Sequence, residues 1–175
     1  VGMDIPLIAG LLHDYTSGYP FLVSRLCELM DIVVPGKEGF PDRCSAWTKN
    51  GVTEAVKELL AESNPLFDYM VKKLEDFPEL KRTFYAILFR GEIFVFNTDN
   101  RVLDIGRMFG MIKSHDGAVA IANRIFETRL YNLFLSEEML NSTIYRAAEE
   151  DRNRFVCDGH LDMELVLERF VESFT

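Results

Sequence analysis

The pair Asp116-Gly117, set between Met111-Ile112-Lys113 and Ala118-Val119-Ala120-Ile121, is the feature that most limits how this chain can fold. Both turn residues tolerate positive φ, so the two flanking runs are predicted to pair as a β-hairpin. Elsewhere the apolar residues recur mostly at helical spacing. Asp4 is positioned to cap a first helix carrying Ile5, Ile8, Leu11 and Leu12 and running to Tyr15, and Gly18 ends it. Pro20 suits the first turn of a second helix, where a missing N–H leaves no bond unmade, and Leu22, Val23, Leu26, Leu29 and Met30 form its stripe.

Pro35-Gly36-Lys37-Glu38-Gly39-Phe40-Pro41 concentrates turn formers and is read as a loop and a domain boundary. Three helices are predicted beyond it: Lys49 to about Glu62, Asn64-Pro65 to about Glu75, and one started by Asp76 and Pro78 that runs to about Arg90. Ile93-Phe94-Val95-Phe96 reads as a short strand, and Val102 to Phe109 as a short helix before the hairpin. A helix from about Asn123 to Leu135, another from about Glu137 to Arg152 and a last one capped by Asp162 complete the expectation. The fold class is mainly α with a small β wing: two short N-terminal helices, a helix, strand, helix and hairpin order typical of a winged helix-turn-helix, and C-terminal helices. The boundaries expected are 1–46, 47–135 and 136–175.

Composition narrows the function classes. With 48% apolar residues among 175, the chain can bury a core without staples. Cys27, Cys44 and Cys157 are odd in number and far apart, which fits reduced thiols better than a disulfide framework. No run approaches about 18 consecutive apolar residues, so no membrane partner is expected and the protein is read as cytoplasmic. A formal charge of -9 argues against a phosphate-gripping surface. Glu137 to Thr175 holds ten acidic and four basic residues, while Ile93 to Arg124 holds three acidic and four basic. Val1 in place of an initiator Met, and Thr175 directly after an amphipathic run, suggest a piece of a longer protein.

Ser17-Gly18-Tyr19-Pro20-Phe21-Leu22-Val23 resembles the G-x-P-x-L lid motif of AAA-like P-loop ATPases related to the archaeal and STAND types. The order of the later segments strengthens the likeness, above all Gly110-Met111-Ile112 and the closing Asn123-Arg124-Ile125-Phe126-Glu127, so that it covers roughly residues 1–135. The resemblance implies a helical lid packing over nucleotide held by an upstream P-loop core, with Gly18 and Pro20 near the base and Tyr19 between them. Arg25 then becomes a candidate sensor of a γ-phosphate, the alternative being a pair with Glu28 on the same helix. The tail from Phe155 resembles the junction to a downstream PD-(D/E)xK nuclease-like effector domain. ATP or ADP with Mg is implied only for the longer protein, because nothing here reads G-x-x-x-x-G-K-[ST]. No enzyme activity, catalytic residue or cofactor is therefore expected of this fragment.

Other uses stay open on the residues alone. Arg101 and Arg107 lie on the helix that a nucleic-acid reader would insert in the major groove, and Lys113 and Arg124 flank the wing. Asp99, Asp104 and Asp116 interrupt that basic character and favour a domain-packing role. Met163, Val166, Phe170 and Phe174 form a stripe through which a homodimer can assemble. Cys157-x-x-His160 has a spacing that metal sites use, but two further ligands are missing, so no metal site is assigned. Glu149-Glu150-Asp151 is read as a solvated helix end.

Overall fold

In the computed structural model, which describes residues 3–141, 156–157 and 160–161, most of the helical spacing becomes helix. The Asp4 carboxylate accepts from the Leu7 N–H at 3.1 Å and starts α1 (Ile5–Thr16). Ser17 (φ 49°) and Gly18 (φ 75°) both adopt left-handed geometry and stop it. Pro20 occupies the first turn of α2 (Pro20–Glu28), which widens into a π-helical turn at Leu29–Val33. The predicted loop comes next. Asp42 and Ser45 cap each other across the short α3 (Arg43–Ala46), and the Thr48 hydroxyl caps α4 (Lys49–Ala61).

These elements pack around α4, which touches α1, α2, the π turn and α3. Leu22, Leu26, Met30, Val52, Ala55 and Leu59 are all at most 1% exposed and fill the space between them. The approach of α3 to α4 leaves no room for a side chain at Gly51, where a Cβ would stand 1.7 Å from the Ala46 carbonyl oxygen.

Asn64 caps α5 (Pro65–Asp76) through the Phe67 N–H at 3.0 Å, and α6 (Pro78–Arg90) ends at Gly91 (φ 65°). Asp76 does not start α6. Phe77 holds the cap position without a side-chain bond, and the Asp76 carboxylate instead meets Lys73 at 3.1 Å.

The strand expected at Ile93–Phe96 is reduced to one bridge, Val95 to Ala118. The Phe96 N–H donates to the Gly117 carbonyl at 2.9 Å, and the Val119 N–H donates to the Phe94 carbonyl at 2.8 Å. Ile93 and Val95 are 84% and 78% exposed, so their side chains have no packed face to extend a ladder against, whatever their β propensity.

Asn100 caps α7 (Arg101–Met108). The hairpin forms as predicted: β1 (Ile112–His115) pairs antiparallel with β2 (Ala118–Ile121), Ile112 opposite Ile121, across Asp116 (φ 50°) and Gly117 (φ 77°). The α5, α6 and α7 helices and the hairpin pack in sequence order. Asn123 caps α8 (Arg124–Asn141) by accepting from the Phe126 N–H at 2.9 Å.

The break expected between Leu135 and Glu137 is absent. No Gly or Pro interrupts α8 there, and the Ser136 hydroxyl donates back to the Leu133 carbonyl, so Glu137 continues the same helix.

Val1–Tyr131 form one compact unit and Asn132–Thr175 a second. In the second, Val156–Cys157 (β3) and His160–Leu161 (β4) pair antiparallel, a ladder the sequence did not suggest. The remainder of the helix expected to Arg152 and the helix from Asp162, with Met163, Val166, Phe170 and Phe174, lie outside the described residues. No helix among the described residues is long and apolar enough to cross a membrane.

The Gly51 contact predicts a sharp contrast between two glycines. Gly51→Ala should lower stability by about 2 kcal/mol or more through overpacking, whereas Gly10→Ala, in open space on α1, should raise it by about 0.5–1 kcal/mol. Denaturant midpoints of the two variants check both signs.

Candidate functional site

The α1–α2 turn carries left-handed φ at two consecutive positions, Ser17 and Gly18. Ser17, Gly18 and Pro20 are exposed and Tyr19 is half-buried. The left-handed φ at Gly18 suits a residue without a Cβ, and Thr16, fully buried, supports the turn from below. Its hydroxyl donates to the Leu12 carbonyl at 2.7 Å and accepts from the Gly18 N–H at 3.1 Å.

Three contacts join this turn to the hairpin and the start of α8. The Tyr19 ring meets Phe126 edge to face, centroids 5.4 Å apart and planes at 70°. The Lys113 ammonium donates to the Ser17 hydroxyl at 2.9 Å, and the Arg124 guanidinium lies 4.8 Å above the Tyr15 ring. Gly110, whose left-handed φ of 67° favours a residue without a Cβ, lies beside the Tyr19 ring. Asn123 is 4% exposed, and its side-chain Nδ2 has no hydrogen-bond partner among the described residues.

The structure therefore brings together Gly18, Tyr19 and Pro20, singled out as a lid turn, with Lys113 and Arg124, singled out as nucleic-acid contacts. It leaves Arg101 and Arg107 apart from them on α7. Arg107 is paired with Asp104 at 2.8 Å, and exposed Arg101 borders a cleft with Asp76, Phe77 and Glu79.

Arg25 is engaged elsewhere. Its guanidinium meets Glu28 at 2.7 Å on its own helix, the alternative that the sequence offers, and Glu62 at 2.8 Å on the far end of α4. Hydrogen bonds to Glu62 and Glu28 push its pKa further up from an already high value. Burial, the largest single influence on Glu62, pushes that carboxyl up. Hydrogen bonds from Arg25 and Asn64 more than offset it, so the group sits below its ordinary range.

Sequence reasoning did not find Glu62, Tyr15 or the Lys113–Ser17 bond, because their partners lie far along the chain and no local pattern marks them. Asn123 and Phe126 belonged to a quoted motif without an assigned contact.

No group of three or more His, Cys, Asp or Glu suited to a metal occurs among the described residues. Backbone pairing sets Cys157 opposite His160. Cys27 is partly buried, which pushes its thiol up and away from the reactive thiolate. Comparison with protein-family models, curated proteins and solved structures finds no match for the chain.

The Glu62 carboxylate sets a pH dependence. A carboxyl whose folded pKa is depressed adds stability above its unfolded value, about 4.3, and loses it as pH falls through the lower folded value. Glu62→Gln should cost about 1–2 kcal/mol at neutral pH. The gap from the native chain should narrow as pH falls below about 4, which denaturant titrations across that range measure.

Proposed function

We propose that this chain is a non-catalytic module of an AAA-like P-loop ATPase. In this reading α1 and α2 are lid helices that close over a nucleotide held by a core outside the chain. The helices from α4 to α7, with the hairpin, form a winged helix that passes closure on to an effector domain. The observation that carries the reading is the α1–α2 turn itself. It combines an accessible Gly18 backbone and a rigid Pro20 with a half-buried Tyr19 seated on Phe126.

A lid works as a relay only if its movement is felt elsewhere, and Tyr19, Lys113 and Arg124 supply that link at the turn. Nucleotide biases closure to the extent that it binds the closed position more tightly than the open one. ATP or ADP with Mg belongs to the missing core, since the 175 residues hold no Walker-type lysine loop. Arg25 is assigned a structural role here, because both of its acidic partners would have to be displaced before it met a phosphate.

Nucleic-acid binding has less support in the geometry. Arg107 is neutralised by Asp104, and Lys113 and Arg124 are turned toward the α1–α2 segment. Dimerisation through the Met163 to Phe174 stripe rests on residues outside those described.

Calorimetry tests the lid reading. ATP and ADP should bind a chain extended upstream through a P-loop core and leave the 175-residue chain unbound. In the extended protein Pro20→Ala should weaken binding about tenfold, near 1.4 kcal/mol. A folded Pro20→Ala protein with native affinity would remove the lid contact, and absence of binding by the extended chain would remove the ATPase reading.

A further inference from the structure

One ammonium group of the described residues stands among three aromatic rings. Lys73 Nζ lies 5.1 Å from the centre of the Phe109 ring, 5.3 Å from Tyr69 and 5.9 Å from Phe77. The rings hold one another: Tyr69 meets Phe109 at 86° and Phe77 meets it at 46°, each pair 5.8 Å apart. The Asp76 carboxylate closes a further side at 3.1 Å from the same nitrogen. Tyr69 and Lys73 are one helical turn apart on α5, Phe77 follows its end, and Phe109 arrives from the end of α7. Folding thus builds the enclosure from two helices.

Its dimensions suit a larger cation than the one inside. A carbon atom over a ring rests about 3.5–4 Å from it, and a C–N bond adds about 1.5 Å. A methylated nitrogen with its methyl groups against the ring faces therefore stands about 5–5.5 Å from each ring centre. Two of the three measured distances fall in that interval and the third lies just beyond it. A primary ammonium has only hydrogens to place in the gap. The ion pair with Asp76 keeps that ammonium docked, and the Lys73 side chain is only 20% exposed, so an outside cation has to displace it. Tyr69 is 43% exposed and leaves one wall open to solvent.

We propose that Tyr69, Phe77, Phe109 and Asp76 form a binding site for a methylated ammonium group, held closed by Lys73. Three π faces attract such a cation while its poor hydration lowers the penalty of leaving water. Lys73 competes for the same space, so affinity for an outside ligand falls with the fraction of molecules in which the lysine is docked. A choline-type ligand and a trimethylated lysine side chain both carry this chemistry. The site does not depend on the ATPase reading.

Titration of the 175-residue chain with tetramethylammonium, followed by NMR through the ligand methyl signal and the Tyr69 ring, tests it. Lys73→Ala should bind at least about tenfold more tightly than the native chain, because the competing occupant is gone. Adding Tyr69→Ala, at an exposed position, should abolish that binding without unfolding the protein. Choline and trimethyl-lysine compared on Lys73→Ala identify the source, and a preference for either retains the site. Three results overturn it: no saturable binding by a folded Lys73→Ala protein, equal affinity in the native chain, or equal binding of the uncharged analogue 3,3-dimethylbutanol.

Discussion

The passage of Gly51 against the Ala46 carbonyl decides where α4 lies, and α4 is the helix on which the first half of the chain is organised. Any side chain at this position forces α3 and α4 apart, and with them the surfaces that α1, α2 and the π turn pack against. The constraint is steric, so no favourable interaction elsewhere compensates for it locally.

Polar contacts then secure the outer faces of α4. Lys37, in the loop after the π turn, meets both Glu54, at 3.2 Å, and Glu58. One turn further on, at the C-terminal end, Arg25 grips Glu62, and Arg129 of α8 donates to the Leu60 carbonyl while lying 4.7 Å over the Phe67 ring. Partly exposed pairs of this kind contribute modestly each. Their value is in registration, since Arg25 and Arg129 bring α2 and α8 to neighbouring residues at one end of α4.

The α1–α2 turn inherits its position from this arrangement. Once α1 and α2 are fixed on α4, Tyr19 falls on Phe126 and Ser17 falls beside Lys113, so the turn and the hairpin share one surface. Buried Asn123 spends its oxygen on the cap of α8 and leaves its amide nitrogen without a partner among the described residues beneath that surface. An unsatisfied buried donor is costly.

The sequence alone determined the helix starts at Asp4, Pro20, Asn64 and Pro78, the left-handed stop at Gly18 and the hairpin at Asp116-Gly117. Each of these depends on backbone preferences and side-chain bonds spanning a few residues. It overstated the Ile93–Phe96 strand and divided α8 in two, because β propensity and helix length answer to neighbours that a local pattern does not contain. Only the tertiary structure joined Lys113 to Ser17, Arg25 to Glu62 and Lys73 to Phe109. Those contacts exist because packed helices bring together residues distant in the chain, and no periodicity or turn signal encodes which side chains will then face one another.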